Sequence, residues 1–148
     1  MSVSIIEMSE RDFEICNEEL SSFRWRYIDF QPSGKPLLFS IYSEQHLVGY
    51  VHIILMKNAP DEVADGELYK IFIFPKYQKK GYGKKAAKLA IDWIYQNCNE
   101  LYLEVVDDVI DFWDKILGGY SEQYSIRLED PATSNTTKYI FSKINAHD

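Results

Sequence analysis

Apolar and polar positions alternate along this chain with two different periods, and each change of period marks a change of element. Val3 to Met8 alternates as a short strand, and Ser9 to Asp12 supplies a Ser-x-x-Asp start for a helix running to about Leu20. After the turn residues Pro32, Gly34 and Pro36, the runs "LLFSIYS" and "HLVGYVHIILM" flank Glu44 and Gln45 and predict an antiparallel hairpin. "NAPDEVADG" is a loop by composition, and "ELYKIFIF" is a strand of β-branched and aromatic residues stopped by Pro75. The period then becomes helical. Ala86, Ala87, Ala90, Ile91 and Ile94 form one stripe in a helix reaching about Asn97, with Lys84, Lys85, Lys88 and Asp92 off that stripe. "ELYLEVV" predicts another strand. A short helix follows, capped by Asp107 or Asp108, with Val109, Phe112, Trp113 and Ile116 as its buried face and Gly118 and Gly119 at its end. "YSEQYSIRLE" and "TTKYIFSKI" predict two final strands around a turn at Pro131 to Asn135.

The strand at 67–74, the helix at 82–97 and the strand at 101–106 make a βαβ unit, so the two strands are expected to be near-parallel neighbours joined by a right-handed crossover. Hairpins at both ends make the sheet mixed and the class α+β. With 148 residues, 46% of them hydrophobic, the chain is expected to form one domain over 1–148 with a real core. No run approaches the roughly 18 apolar residues that cross a bilayer, and the N-terminus turns acidic where a signal peptide stays apolar. The expectation is a cytoplasmic protein with no membrane partner. Cys16 and Cys98 show no metal-ligand spacing and no nearby histidine, so they read as inert buried thiols and no metal is expected.

Charge changes the picture. The stretch "FPKYQKKGYGKKAAKL" holds six lysines and no acid over 76–88, leaving the other 135 residues with −13 in a chain of net charge −7. A nucleic-acid surface spreads its basic residues over many phosphates, whereas this patch is short and set in a repelling background, so no nucleic-acid partner is expected. One small polyanion suits it; a solvated lysine-rich helix face is the competing reading.

The patch surrounds "QKKGYG", between a strand and a helix, where backbone N–H groups converge and the helix dipole favours negative charge. Gly81 and Gly83 can take positive φ and let the main chain approach a phosphate oxygen. A P-loop is excluded, because no Gly stands five residues before a Gly-Lys-Ser/Thr. "GYGKKA" satisfies the dinucleotide pattern G-x-G-x-x-A, with Glu104 18 residues past Ala86. Against that reading stand the five residues between Pro75 and the first Gly, where the fingerprint has a tight turn, and the lack of a second βαβ half.

Gln78, Gly81 and Gly83, in Gln-x-x-Gly-x-Gly after "ELYKIFIFPKY", resemble the acyl-CoA-binding motif of the GCN5-related N-acetyltransferase (GNAT) superfamily. "LVGY" (Leu47 to Tyr50) and "IFIFP" (Ile71 to Pro75) extend the likeness over 37–120. The resemblance implies the GNAT fold: a mostly antiparallel seven-stranded sheet with a central, splayed parallel pair, flanked by about four helices. It implies that N–H groups from Gln78 to Lys84, including those of Lys79, Lys80, Gly81, Tyr82 and Gly83, hold the pyrophosphate of acetyl-CoA. The lysines would meet its 3′-phosphate, and main-chain groups of Ile71, Phe72 and Ile73 would pair with its pantetheine.

Acyl transfer to an amine needs the amine neutral, and an alkylamine has a pKa around 10. Glu67 matches the position where many members of the superfamily carry a glutamate acting through water, and is the candidate base; a solvated carboxylate at the start of the strand is the alternative. Trp113 in "FWDKILGGY" stands where the family commonly has a proton-donating Tyr, and an indole N–H cannot fill that role. The family's coenzyme-contacting Asn has no match. Trp113 can pack on pantetheine or on the core. Implied partners are acetyl-CoA and a small amine or peptide acceptor, with a homodimer as an option. The activity expected is direct acetyl transfer to a primary amine in a ternary complex, and the alternative is a non-catalytic acyl-CoA-binding module. Phe23, Trp25 and Tyr27 are candidates to line the acceptor pocket, and the acidic background favours a cationic amine.

Overall fold

A computed structural model describes residues 2–22, 35–57, 59–106, 110–129 and 136–144. Seven strands, β1 (Val3–Glu7), β2 (Lys35–Ser43), β3 (His46–Met56), β4 (Asp65–Ile73), β5 (Glu100–Val106), β6 (Tyr124–Glu129) and β7 (Thr136–Lys143), form one sheet in the order β1-β2-β3-β4-β5-β7-β6. Every neighbouring pair is antiparallel except β4 and β5. The helices are α1 (Glu10–Ser22), α2 (Tyr82–Asn97) and α3 (Ile110–Leu117), with single 3-10 turns at Pro75–Tyr77 and Gly118–Tyr120. The described residues thus hold three α-helices where about four were expected, and the mixed sheet with its parallel βαβ pair is as the hydrophobic pattern predicts.

The sheet buries both faces. On one, the alanines and isoleucines of α2 pack on Val51, Ile53, Leu68, Leu101 and Leu103, joined by Ile116 and Leu117 of α3. Ile91 and Ile94 are almost wholly removed from water, each worth roughly 1.5–3 kcal/mol in transfer. On the other face Cys16 and Leu20 of α1 meet Tyr50, Phe72 and Phe74. Ser9 caps α1 as its sequence suggests, its Oγ accepting the Asp12 N–H at 3.1 Å. The Asp12 carboxylate is used elsewhere: Ser40 Oγ (2.8 Å) and Tyr42 Oη (2.6 Å) both donate to it, fastening the first turn of α1 to β2. That hydrogen bond, with burial, pushes the Tyr42 hydroxyl up to about 12.

Two expectations are corrected. Tyr120 begins no strand: β6 starts at Tyr124, and Tyr120 closes a 3-10 turn, buried, with its hydroxyl donating to Asp92 Oδ1 (3.0 Å) or Lys88 O (3.1 Å). Phe112 is not on the buried face of α3 but 40% exposed, because the buried stripe runs through Trp113, Ile116, Leu117 and Tyr120, and Phe112 lies one residue off it. Phe23, Trp25, Tyr27, Asp107, Asp108, Val109 and the turn at 131–135 lie outside the described residues.

β4 contains a bulge that sets the site. Leu68 pairs with Ile53 and Lys70 with His52, so Tyr69 is an extra residue and the strand slips phase there. Leu68 faces α2, yet Ile71 and Ile73 also pack on that side, while Phe72 joins the α1 cluster. Tyr69 and Lys70 therefore share the α1 side with Glu67.

Candidate active site

The parallel pair is pinned at one end and open at the other. Asn99 N–H bonds Ala64 O (2.9 Å), Glu100 N–H bonds Asp65 Oδ1 (3.2 Å), and the ladder pairs Gly66 with Leu101 and Glu67 with Tyr102. No β4–β5 pair follows, although β4 continues to Ile73 and β5 to Val106. Ile71, Phe72 and Ile73 keep their partners Val51, Tyr50 and Gly49 on β3, so the main-chain edge that opens is the one toward β5. Unpaired strand edges are docking surfaces for an extended amide-bearing chain.

That open edge leads into the loop before α2. Tyr77 N–H bonds Phe74 O (2.8 Å) and Gln78 N–H bonds Pro75 O (3.2 Å), while Gln78 Nε2 donates to Ile73 O at 2.8 Å. Gln78 is thus a brace between loop and strand end, and its own N–H is already engaged, which corrects the expectation that it faces a phosphate. Lys79 (φ 64°) and Gly81 (φ 87°) are left-handed, a turn that leaves α2 beginning without a side-chain cap. The first helical bond is Lys85 N–H to Gly81 O (3.3 Å), so the N–H groups of Tyr82, Gly83 and Lys84 precede the ladder. Lys76, Lys79, Lys80, Lys84, Lys85 and Lys88 are all exposed around them. Uncapped N–H groups, the positive end of a 16-residue helix and exposed cations fit a diphosphate.

Gly83 differs from Gly81 in that it has no positive φ. A Cβ there would sit 3.7 Å from Ile73 Cγ1 and 4.0 Å from Phe112 Cζ, ordinary contacts that border a gap between β4 and α3. The Cβ of a valine fits there without a backbone clash, and its two methyls project toward Ile73 and Phe112 where the ligand is proposed to pass. Gly83→Val should therefore fold normally and bind coenzyme A at least about tenfold more weakly by titration calorimetry; unchanged affinity would remove this gap from the ligand's path.

The aromatic residue beside the gap is Phe112, for which the sequence predicts a place in the core. Trp113, the expected coenzyme contact, is half-buried and packs on the core, edge-on to Phe112 at 5.3 Å. Helical periodicity did not separate the two, since Phe112 and Trp113 stand at i+3 and i+4 from Val109 and both fit the predicted stripe. Tyr82 is half-buried with its ring 6.2 Å from that of Tyr77.

Glu67 is half-buried and forms the last rung of the parallel ladder, on the sheet face away from α2. Leu101, Leu103 and Val105 face α2, so Glu100, Tyr102 and Glu104 share the Glu67 side. Tyr102 Oη donates to Glu100 Oε1 (3.1 Å), and Ser142 Oγ donates to Glu100 Oε2. Neither cysteine is poised as a nucleophile: burial, then the carboxylates of Asp12 and Glu19, pushes Cys16 up to about 12, and burial pushes Cys98 up to about 11. Among the described residues no group of three His, Cys, Asp or Glu side chains could hold a metal, and no helix is long and apolar enough to cross a membrane.

The chain belongs to the acetyltransferase (GNAT) family, whose model matches residues 3–118. It resembles in fold an acetyltransferase from Thermus thermophilus, at 15% identity and a TM-score of 0.62 over 95% of this chain and 96% of that one. A chimera of the spermidine N-acetyltransferases of Vibrio cholerae and hSSAT superposes with a TM-score of 0.64 at 14% identity over 97% and 96%. Arabidopsis thaliana NAA60, solved in complex with acetyl-CoA, gives 0.59 at 11% identity over 95% and 97%. A search of curated proteins finds no match.

Proposed function

We propose that the protein is an N-acetyltransferase that uses acetyl-CoA and acts on a primary, cationic amine. The observation that carries this reading is the placement of Glu67 at the fork where β4 and β5 part, one strand run away from the uncapped start of α2. Acetyl-CoA supplies an activated acetyl thioester. The N–H groups from Lys79 to Lys84 hold its diphosphate, with the surrounding lysines attracting its charge. The β4 edge toward β5, on which Gln78 already holds Ile73 O, orients the pantetheine through its remaining main-chain groups, and Phe112 and Ile73 flank Gly83. Glu67 accepts the proton that the amine must lose, directly or through water. High thiol pKa values at Cys16 and Cys98 favour direct transfer over a covalent acyl-enzyme.

The chain lacks a tyrosine at Trp113, and the Tyr120 hydroxyl is held above its usual value by burial and Asp92, so neither is a ready proton donor. That favours a second reading, a binding module without chemistry. Thiol release from acetyl-CoA, followed across diamines, aminoglycosides, amino acids and peptides, separates the two. Acceleration by an amine is expected; coenzyme binding with no acceleration by any of them would establish the binding module instead.

A further inference from the structure

The bulge in β4 gives this chain something its motif does not. Tyr69 is the extra residue, 41% exposed, and its ring meets the buried His52 imidazole edge-on at 4.9 Å and 70°. That contact orients the ring, so an aromatic face stands two residues from Glu67 on the same side of the sheet. Two strand steps span roughly 6.6 Å. The other face of the sheet is filled by α2, so an amine reaching Glu67 comes from the side that Tyr69 shares.

We propose that Tyr69 is a specificity-determining residue that receives a second cationic group of the acceptor, making the favoured acceptor class a short diamine. The inference rests on the acetyltransferase reading above. One nitrogen lies at Glu67 and loses its proton. The other stays charged over the Tyr69 ring, where the π-face attracts it. Lys70 follows on the same face, but Glu67, Glu100 and Glu104 give that face an acidic balance among the described side chains. Tyr69 is well exposed, so its replacement leaves the core intact.

The test is titration of diaminobutane and butylamine into protein saturated with coenzyme A, which has no acetyl group to transfer. Tyr69→Leu should weaken diaminobutane about fivefold while changing butylamine less than about twofold. Tyr69→Phe, which keeps the ring, should bind diaminobutane within about twofold of the parent. The proposal is overturned by Tyr69→Leu holding diaminobutane as well as the parent, by equal losses for both amines, or by a parent that binds no diaminobutane. Failure of the acetyltransferase reading looks different: diaminobutane binds with this pattern, yet acetyl-CoA releases no thiol when it replaces coenzyme A.

Discussion

Glu67→Gln should lower kcat at least about a hundredfold, the lower bound for removing a general base, while the affinity for acetyl-CoA stays within about twofold of the parent. The carboxylate lies on the opposite sheet face from α2, and the main-chain groups and lysines proposed to hold the coenzyme lie further along the chain. Binding and proton transfer are therefore separable. Glutamine keeps the size of the side chain at the fork and one of its acceptor oxygens, replaces the other with an NH2 donor, and cannot take a proton. The pH profile discriminates further. An alkylamine with a pKa near 10 gains about tenfold in neutral form per pH unit below that value. With the base removed, the variant depends on amine that is already neutral, so its kcat/KM should climb with pH and approach the parent at alkaline pH. Equal turnover for the two proteins at neutral pH would take Glu67 out of the mechanism, and a loss that does not recover with pH would assign it a structural role.

Much of this site was legible as pattern. The change from strand to helical period across Pro75, with glycines and lysines between, located the loop, and the buried stripe of α2 falls on the five residues that the spacing selects. Where the pattern misleads, the cause is a local backbone event that a period cannot express. The bulge at Tyr69 flips the phase of β4, so Leu68 and Phe72, four residues apart, face opposite ways. A trace of it stands in the sequence: Lys70 occupies a position where strict alternation from Leu68 would demand an apolar residue. Gln78 reads as a phosphate contact because its motif is named for binding; that its amide braces Ile73 O depends on a 3-10 turn that Pro75 starts and a motif does not describe. The double engagement of Asp12 is equally hidden, since its partners Ser40 and Tyr42 are about thirty residues away and only the sheet brings them near.

Gly49 is where the sequence offered least and the structure predicts most. In β3 an extra residue, Val48, lies opposite the Ile41/Tyr42 step of β2, and Val48 O accepts the Phe74 N–H at 2.8 Å. That displacement drives Gly49 against β4. A Cβ on Gly49 would overlap the Phe72 carbonyl oxygen and come within 3.0 Å of Ile73 Cα. Both obstacles are backbone, so no rotamer change relieves them, and they belong to the strand whose open edge is proposed to hold pantetheine. Gly49→Ala should therefore destabilise by about 3 kcal/mol, the upper part of the range for overpacking, lowering the melting temperature by roughly 6–12 °C in a chain of this size. Gly119 is the control: nothing lies within 4 Å of its Cβ position, and Gly119→Ala should melt within a degree or two of the parent, about 0.5 kcal/mol. Because the clash moves Phe72 and Ile73, the folded Gly49→Ala protein at low temperature should also bind acetyl-CoA more weakly, by about fivefold or more. Circular dichroism melts and calorimetry read the two effects separately. Matching melts for Gly49→Ala and Gly119→Ala would show that β3 and β4 can part at no cost. Lost stability with unchanged coenzyme affinity would show instead that the Gly49 contact shapes the sheet but not the edge the ligand uses.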